Sequence, residues 1–317
     1  MTRDQNARKR VVCLGVHIVD VLGRPVTDIP LGQGRRILDE IAMTAAGTAA
    51  GTSVDLAKLG ADVVPMGVVG DDLLGDFLVM ALERHGIDCS HLVRRSTVRT
   101  SATILLIRPD GSRPALHFPG ANPTMSLKDV DLDMIAEADV LHVGGPDALG
   151  GFAAEGLVPV LTQARQHDVI TTMDMLSPCS TGVWDLIAPA LPLVDYLLPN
   201  DEQLRNLTGE DDLDKAAAVT LRAGVGTVVV STGPSGATLY TRDGRQIFPS
   251  LAQAVVDTTG CGDAVSAGII TGLLEGRAIE ESVPLGMAAA ALVAGGLGSD
   301  AGLVGRAQLY ELLGSLL

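Results

Sequence analysis

Across the second half of the chain, short β-branched or apolar runs alternate with helix-like stretches, and no other feature limits the possible folds as strongly. The runs fall at 140–143, 170–173, 196–198 and 228–231, with another at 63–69 after a helix-like stretch that stops at Gly60. Strands separated by helices build successive βαβ units, whose strands lie side by side in parallel. Aromatic residues make up only 3% of the chain, whereas a β-sandwich draws heavily on aromatic core positions. An α/β fold with a central, mostly parallel sheet flanked by helices follows. The helix after 196–198 carries its own limits: Asn200 as N-cap, Asp201 and Glu202 in the first turn, and Gly209 as the stop.

A chain of 317 residues, 47% hydrophobic, can bury one large core, and a single domain over 1–317 is expected. Its 23 basic and 38 acidic side chains leave a net charge of −15. Such a surface repels phosphate backbones and anionic lipid, so no nucleic-acid or membrane partner is expected. Cys13, Cys89, Cys179 and Cys261 are far apart with no CxxC pair, which fits neither a zinc site nor a disulfide framework. Residues 1–10 are polar with no apolar stretch of signal length behind them, so a cytoplasmic location is expected. The longest apolar run, 283–298, is shorter than the roughly 20 residues a bilayer needs and reads as a buried helix.

Two stretches break the βαβ rhythm, at about 17–45 and 98–120. The second holds two apolar runs around Pro109-Asp110-Gly111, a hairpin signal. Together they are expected to form a small antiparallel sheet lying as a lid over the mouth of the main domain.

The chemistry concentrates in Val255-Val256-Asp257-Thr258-Thr259-Gly260-Cys261-Gly262-Asp263-Ala264. A strand-like run enters, a glycine-rich turn follows, and a helix reads from about 264 to 275. Helix-start N–H groups form an anion hole. Asp263 beside it either caps the helix or accepts a proton from an attacking hydroxyl while the N–H groups hold a phosphoryl group. No G-x-x-x-x-G-K-[ST] is present and no lysine follows a glycine, which excludes a P-loop. There is also no G-x-G-x-x-G behind an N-terminal strand and no G-x-S-x-G elbow, so a dinucleotide fold and a serine hydrolase lack support. The six histidines show no metal-ligand spacing.

The stretch from Asp257 to Gly268 resembles the D-T-x-G-A-G-D signature of the ribokinase (PfkB-type) sugar and nucleoside kinases. Three further segments resemble that family in the family's order. Gly15-Val-His-Ile-Val-Asp20 is similar to a first strand ending in a substrate-binding aspartate. The stretch from Ala46 to Gly60 is similar to G-G-x-x-x-N-x-A-x-x-x-x-x-L-G. Leu198-Pro199-Asn200-Asp201-Glu202-Gln203, closed by Thr208-Gly209, is similar to P-N-x-x-E … T-G. The match runs from about residue 10 to the end.

The resemblance implies an ATP-dependent, magnesium-requiring kinase acting on a hydroxymethyl group of a sugar or sugar-like substrate. It makes Asp263 the base, with Gly260, Cys261 and Gly262 as the anion hole. Asp20, Gly47, Gly51 and Asn122 would bind substrate, Asn122 alternatively forming an Asx turn before Pro123. Asn200, Ser231, Thr232, Gly233, Gly236 and Met287 would bind the nucleotide. Glu202 and Gln203 would handle magnesium through water. Asp257, Thr259 and Gly298 would hold potassium, with a simple capping role for Asp257 as the other reading. The resemblance also allows a homodimer through the lid sheet. A nucleoside kinase, or a non-catalytic sugar or nucleotide sensor, remains open on this reading.

The pattern is broken in places. Gly51 stands where the family has an asparagine whose amide meets a sugar hydroxyl, and Ala46 replaces the first glycine of the pair. Gln203 stands where the family has glutamate, with Glu202 one residue early. Successive helix residues point about 100° apart, so the two are not interchangeable. Asp174 closes a strand-like run and is placed to face the cleft. A thiol at Cys261 feels both the helix dipole and Asp263, and modest reactivity is expected.

Overall fold

The computed structural model describes residues 9–110, 112–179, 181–252, 254–299 and 301–314. Residues 1–8 of the polar N-terminal stretch and Gly111 of the hairpin turn lie outside them. The chain begins with β1 (Arg10–Gly15), β2 (Ile18–Arg24), β3 (Glu40–Ala46), α1 (Thr48–Lys58), β4 (Asp62–Gly70), α2 (Leu73–Glu83) and β5 (Leu92–Arg95). The lid hairpin follows as β6 (Ala102–Leu106) and β7 (Ala115–Phe118). Next come α3 (Leu132–Ala136), β8 (Val140–Gly144), α4 (Gly151–Glu155), α5 (Leu157–Gln166), β9 (Ile170–Asp174), α6 (Thr181–Ile187) and β10 (Tyr196–Leu197). The last part holds α7 (Asp201–Thr208), α8 (Leu213–Arg222), β11 (Thr227–Ser231), β12 (Ala237–Thr241), β13 (Gly244–Phe248), α9 (Cys261–Leu274), α10 (Ile279–Val293) and α11 (Arg306–Gly314).

The main sheet has the order β13-β12-β11-β10-β9-β8-β1-β4-β5. It is parallel from β11 through β5, with β12 and β13 added antiparallel at one edge. Both faces are covered, which explains the uninterrupted apolar runs of the inner strands. In β1, Val12 and Leu14 face one core with β8 and α5, while Val11 and Cys13 face the other with α1, α9 and α10. The run 283–298 forms most of α10, whose Val283, Leu285, Met287, Ala288 and Val293 are buried. Among the described residues no helix is long and apolar enough to cross a membrane.

The expected small sheet is present, in the order β3-β2-β6-β7. Its outer pairs are antiparallel, but the central β2–β6 pair is parallel, because the two strands come from separate excursions out of the main sheet. Its two faces differ in character. Asp20, Thr44, Thr103 and His117 are neighbours on the cleft side, while Val21, Met43, Ile104 and Leu116 form the next row, pointing away. In that outer row Ile104 and Leu116 are exposed at 50% and 56%.

Two local expectations need correction. Strand β1 stops at Gly15, and Asp20 lies in the middle of β2, on the lid. Residues 255–256 are not a strand: Val256 N–H instead donates to Ala294 O at 2.8 Å, fastening a loop to the end of α10.

Candidate active site

In a parallel sheet all strand C-termini open toward one edge, and ligands collect there. Here β1, β8, β9 and β11 end at Gly15, Gly144, Asp174 and Ser231. The lid's polar face and the start of α9 complete a cleft of about 400 Å³.

The turn into α9 is built for close approach. Gly260 is its N-cap with φ of 78°, and a Cβ there would come within 2.5 Å of the Ser299 carbonyl carbon. No other residue fits that position. The first intrahelical bond of α9 runs from Ala264 N–H to Gly260 O at 2.9 Å, so the N–H groups before it belong to the open helix start. Among them Cys261 N–H is engaged, donating to Thr258 O at 3.3 Å. The loop is braced from behind. Asp257 Oδ1 accepts from Thr259 N–H at 2.9 Å and from its hydroxyl at 2.7 Å, while Oδ2 accepts from Gly298 N–H at 3.1 Å. Asp257, Thr259 and Gly298 are therefore brought together, with two backbone N–H groups and one hydroxyl donating to one buried carboxylate.

Three buried carboxylates converge on the cleft. Burial pushes Asp263 up to about 7, with Asp20 adding repulsion and Arg113 partly offsetting it. Burial raises Asp20 to about 6, against the pull of a Thr103 hydrogen bond and of Arg113. Asp174 is held well above the carboxylate range by burial and by Asp263. Its Oδ1 accepts from Met175 N–H at 2.7 Å, and Ser266 Oγ donates to Oδ2 at 3.4 Å. The Cys261 thiol is pushed up to about 12 by burial, with Arg113 partly offsetting it, which works against the thiolate that a helix start favours. Its Sγ donates weakly to Ala290 O at 3.7 Å.

Arg113 is the residue that the sequence reading passed over. It follows the lid hairpin turn, and its Nε donates to Thr258 Oγ1 at 3.1 Å across the cleft. It is the one cation among the described residues lining this cleft. The available signal was a basic residue just after a hairpin turn in a strongly acidic chain.

The expected substrate residues separate. Asp20 and Gly47 line the cleft. Asn122 does not: it is 2% exposed, and its side chain brackets the backbone of His17. Its Oδ1 accepts from His17 N–H and its Nδ2 donates to His17 O, both at 3.1 Å. It is neither a ligand contact nor an Asx turn but a clamp on the link between β1 and β2. Gly51 is buried in α1 below Asp263 and does not reach the cleft wall.

Asn200 caps α7 and shares a capping box with Gln203, each side chain accepting the other's N–H at 2.8 Å. Gln203 Nε2 also donates to Met175 O at 2.8 Å. Its amide is thus committed at both ends, which makes it a capping residue, whereas the Glu202 carboxylate is exposed at the cleft. Ser231 and Gly233 lie between this cleft and an adjoining, more apolar chamber of about 530 Å³ lined by Gly236, Val265, Met287 and Ala290. Thr232 shapes that junction, donating through N–H and Oγ1 to Gly236 O at 2.8 and 3.1 Å.

The chain is 27% identical over 274 residues to a ribokinase of Haemophilus influenzae, covering 84% of this chain and 86% of that one. It is also 27% identical over 278 residues to a 2-dehydro-3-deoxygluconokinase of Bacillus subtilis, with the same shares covered. A crystal structure of a putative ribokinase II from E. coli in complex with ATP and Mg²⁺ superposes with a TM-score of 0.84 at 19% identity, covering 98% of this chain and all of that one. Residues 8–304 match the family described as pfkB family carbohydrate kinase. The chain belongs to that family, and with it to the ATP-dependent carbohydrate kinases.

Proposed function

We propose that this kinase phosphorylates a hydroxymethyl group of a small uncharged sugar, with Asp263 as general base. The observation that carries the reading is the meeting, in one cleft, of a buried carboxylate with the open N–H groups of its own helix start, opposite Asp20 on the lid. An alcohol attacking a phosphoryl group must lose a proton, and a carboxylate raised to about 7 is a competent acceptor near neutral pH. Gly260, Cys261 and Gly262 offer N–H groups to the phosphoryl oxygens, Cys261 exchanging its long bond to Thr258 O for the ligand. Arg113 adds positive charge at the same end. Such a transfer depends mostly on positioning and charge neutralisation.

Asp20 is placed to accept hydrogen bonds from sugar hydroxyls. The two kinase relatives are equally similar to this chain, so similarity does not choose between a neutral sugar and a sugar acid. Charge does: Asp20, Asp174 and Asp263 surround the cleft, and Arg113 is tied to Thr258 at the phosphoryl end. A carboxylate or phosphate on the sugar would meet acids with no cation of its own. ATP would place its base in the apolar chamber beside Met287 and its phosphates near Asn200, Ser231 and Gly233. Magnesium would be held through water at Glu202, a hard cation taking carboxylate oxygen and water. Potassium would sit at the loop of Asp257 and Thr259, whose side chains offer only oxygen, beside Gly298.

ADP release from ATP, measured over a panel of neutral sugars, sugar acids, sugar phosphates and nucleosides, tests the reading. Turnover confined to neutral sugars supports it. A nucleoside as best substrate would replace it with nucleoside kinase activity, and silence across the panel would favour a sensor. Running the best substrate in potassium and then sodium chloride at equal ionic strength tests the monovalent site. The apolar outer row of the lid supports pairing of two chains through that sheet, which sedimentation of wild type and Ile104→Arg would reveal.

A further inference from the structure

Gly51 has no backbone reason to be glycine. It lies inside α1 with ordinary helical geometry, and its N–H donates to Gly47 O at 2.8 Å. A glycine in a helix interior costs roughly 1 kcal/mol relative to alanine, and the neighbouring positions 49 and 50 are alanine. The reason is space. A Cβ built on Gly51 would fall 2.8 Å from Asp263 Cγ, 3.2 Å from its Cβ and closer still to Oδ2. The Asp263 carboxylate occupies the volume that any side chain at 51 would need. Thr52 Oγ1 donates to Asp263 O at 3.5 Å and keeps the two helices in register at that point.

We infer that Gly51 is a positioning residue, a recess in α1 that seats the carboxylate of Asp263. The inference rests on the reading of Asp263 as the base. The seat fixes where the carboxylate stands relative to the incoming hydroxyl, and it shelters the carboxylate from water. The charged and titratable groups facing it are Asp20 from β2, Asp174 from β9, Arg113 from the lid hairpin and Cys261 from its own turn. Asp55 lies one turn further along α1. None of these residues is altered by a change at residue 51, so a shift in the behaviour of Asp263 reports its displacement from the seat, through both hydration and its distance to these groups. Where the family pattern has asparagine, the glycine here leaves open the space that the Asp263 carboxylate occupies.

The test is Gly51→Ala, beside Asp263→Asn and Asp263→Ala. With ¹³C-carboxyl aspartate labelling, the Asp263 signal is assigned by its loss in Asp263→Asn and titrated in wild type and Gly51→Ala. An evicted carboxylate is better hydrated, and it should titrate about one pH unit lower than in wild type. Turnover of the best sugar in the panel should fall about tenfold or more, because a displacement near 1 Å is costly to a positioned group. KM for ATP should stay within about twofold of wild type, since no ATP contact changes. Thermal melting supplies a second, substrate-free measurement that also covers poor folding. Gly51→Ala should be more favourable in the Asp263→Ala background, where the crowding is relieved, than in wild type. An unchanged titration and turnover in Gly51→Ala, or an equal melting effect in both backgrounds, overturns the seat. If that happens while Asp263→Asn is inactive, the seat alone falls. Turnover near wild type in Asp263→Asn removes the base, and the role of Gly51 with it.

Discussion

Replacing Asp263 by asparagine should trade activity for stability, and the trade should depend on pH in a way fixed by the structure. In the fold this carboxyl is 8% exposed and its pKa rises from 3.8 to about 7. The folded state therefore holds the proton more tightly than the unfolded chain does. Stability from this group is complete below the unfolded pKa of 3.8 and is lost as pH climbs toward the folded value of about 7. The shift of about three units, at about 1.4 kcal/mol per unit, sets a ceiling of about 4 kcal/mol on the loss. Relaxation and water entry bring the realised figure to about 1–4 kcal/mol. Asparagine carries no charge at any of these pH values. Melting of Asp263→Asn and wild type should thus differ least near pH 4 and most at pH 8, with the variant gaining stability relative to wild type as pH rises. Turnover at pH 8 should fall by roughly two to four decades, the usual worth of a general base, while ATP binding persists. A melting difference that stays flat with pH would refute the burial argument. Activity near wild type would remove Asp263 from the chemistry.

Arg113→Met removes the cation that lowers both Asp263 and Asp20, so the acid limb of the turnover profile should move to higher pH; no movement would mean that Arg113 does not act on the cleft. Asn122→Ala leaves the N–H and carbonyl of His17 without their clamp, which should cost about 1–3 kcal/mol by denaturant unfolding, and an unchanged midpoint would contradict this. Cys261→Ala should remain nearly as active as wild type because, on the proposed reading, only its backbone N–H would meet the phosphates. With its thiol near 12, Cys261 should react with iodoacetamide far more slowly at pH 8 than free cysteine; fast alkylation, located by mass spectrometry, would contradict the burial.

The parallel sheet is readable in the sequence because strands covered on both faces need apolar residues at every position, as in Val228, Val229 and Val230. The glycine turn before α9 is equally readable, since Gly260 has a positive φ and a backbone approach too close for any Cβ, although the helix begins at Cys261 and not at about 264. What escaped depends on partners distant in the chain. The commitment of Gln203 depends on Met175 O, and that of Asn122 on His17, 105 residues away. The placement of Asp20 on the lid follows from where β1 ends, a register decided by pairing Gly15 with Gly144. The apolar pair Val255-Val256 resembles a strand locally, but its backbone is taken by the end of α10. Arg113 reaches the cleft only because the hairpin folds back over Thr258.

On the proposed reading the group gripping the sugar and the group activating it ride on different layers, Asp20 on the lid sheet in β2 and Asp263 at the start of α9 against the main sheet. The two are joined through the short link at Val16 and His17, which Asn122 clamps. Grip and alignment would then be coupled: a sugar that fails to engage Asp20 would leave its hydroxyl unaligned with Asp263, even with Arg113 already bridging to Thr258. Discrimination among sugars should consequently be expressed in kcat as much as in KM, the mark of an enzyme that assembles its site around the correct ligand. A deoxy sugar lacking the gripped hydroxyls should bind loosely and turn over slowly, and it should leave the lid strands as open to hydrogen exchange as they are without ligand.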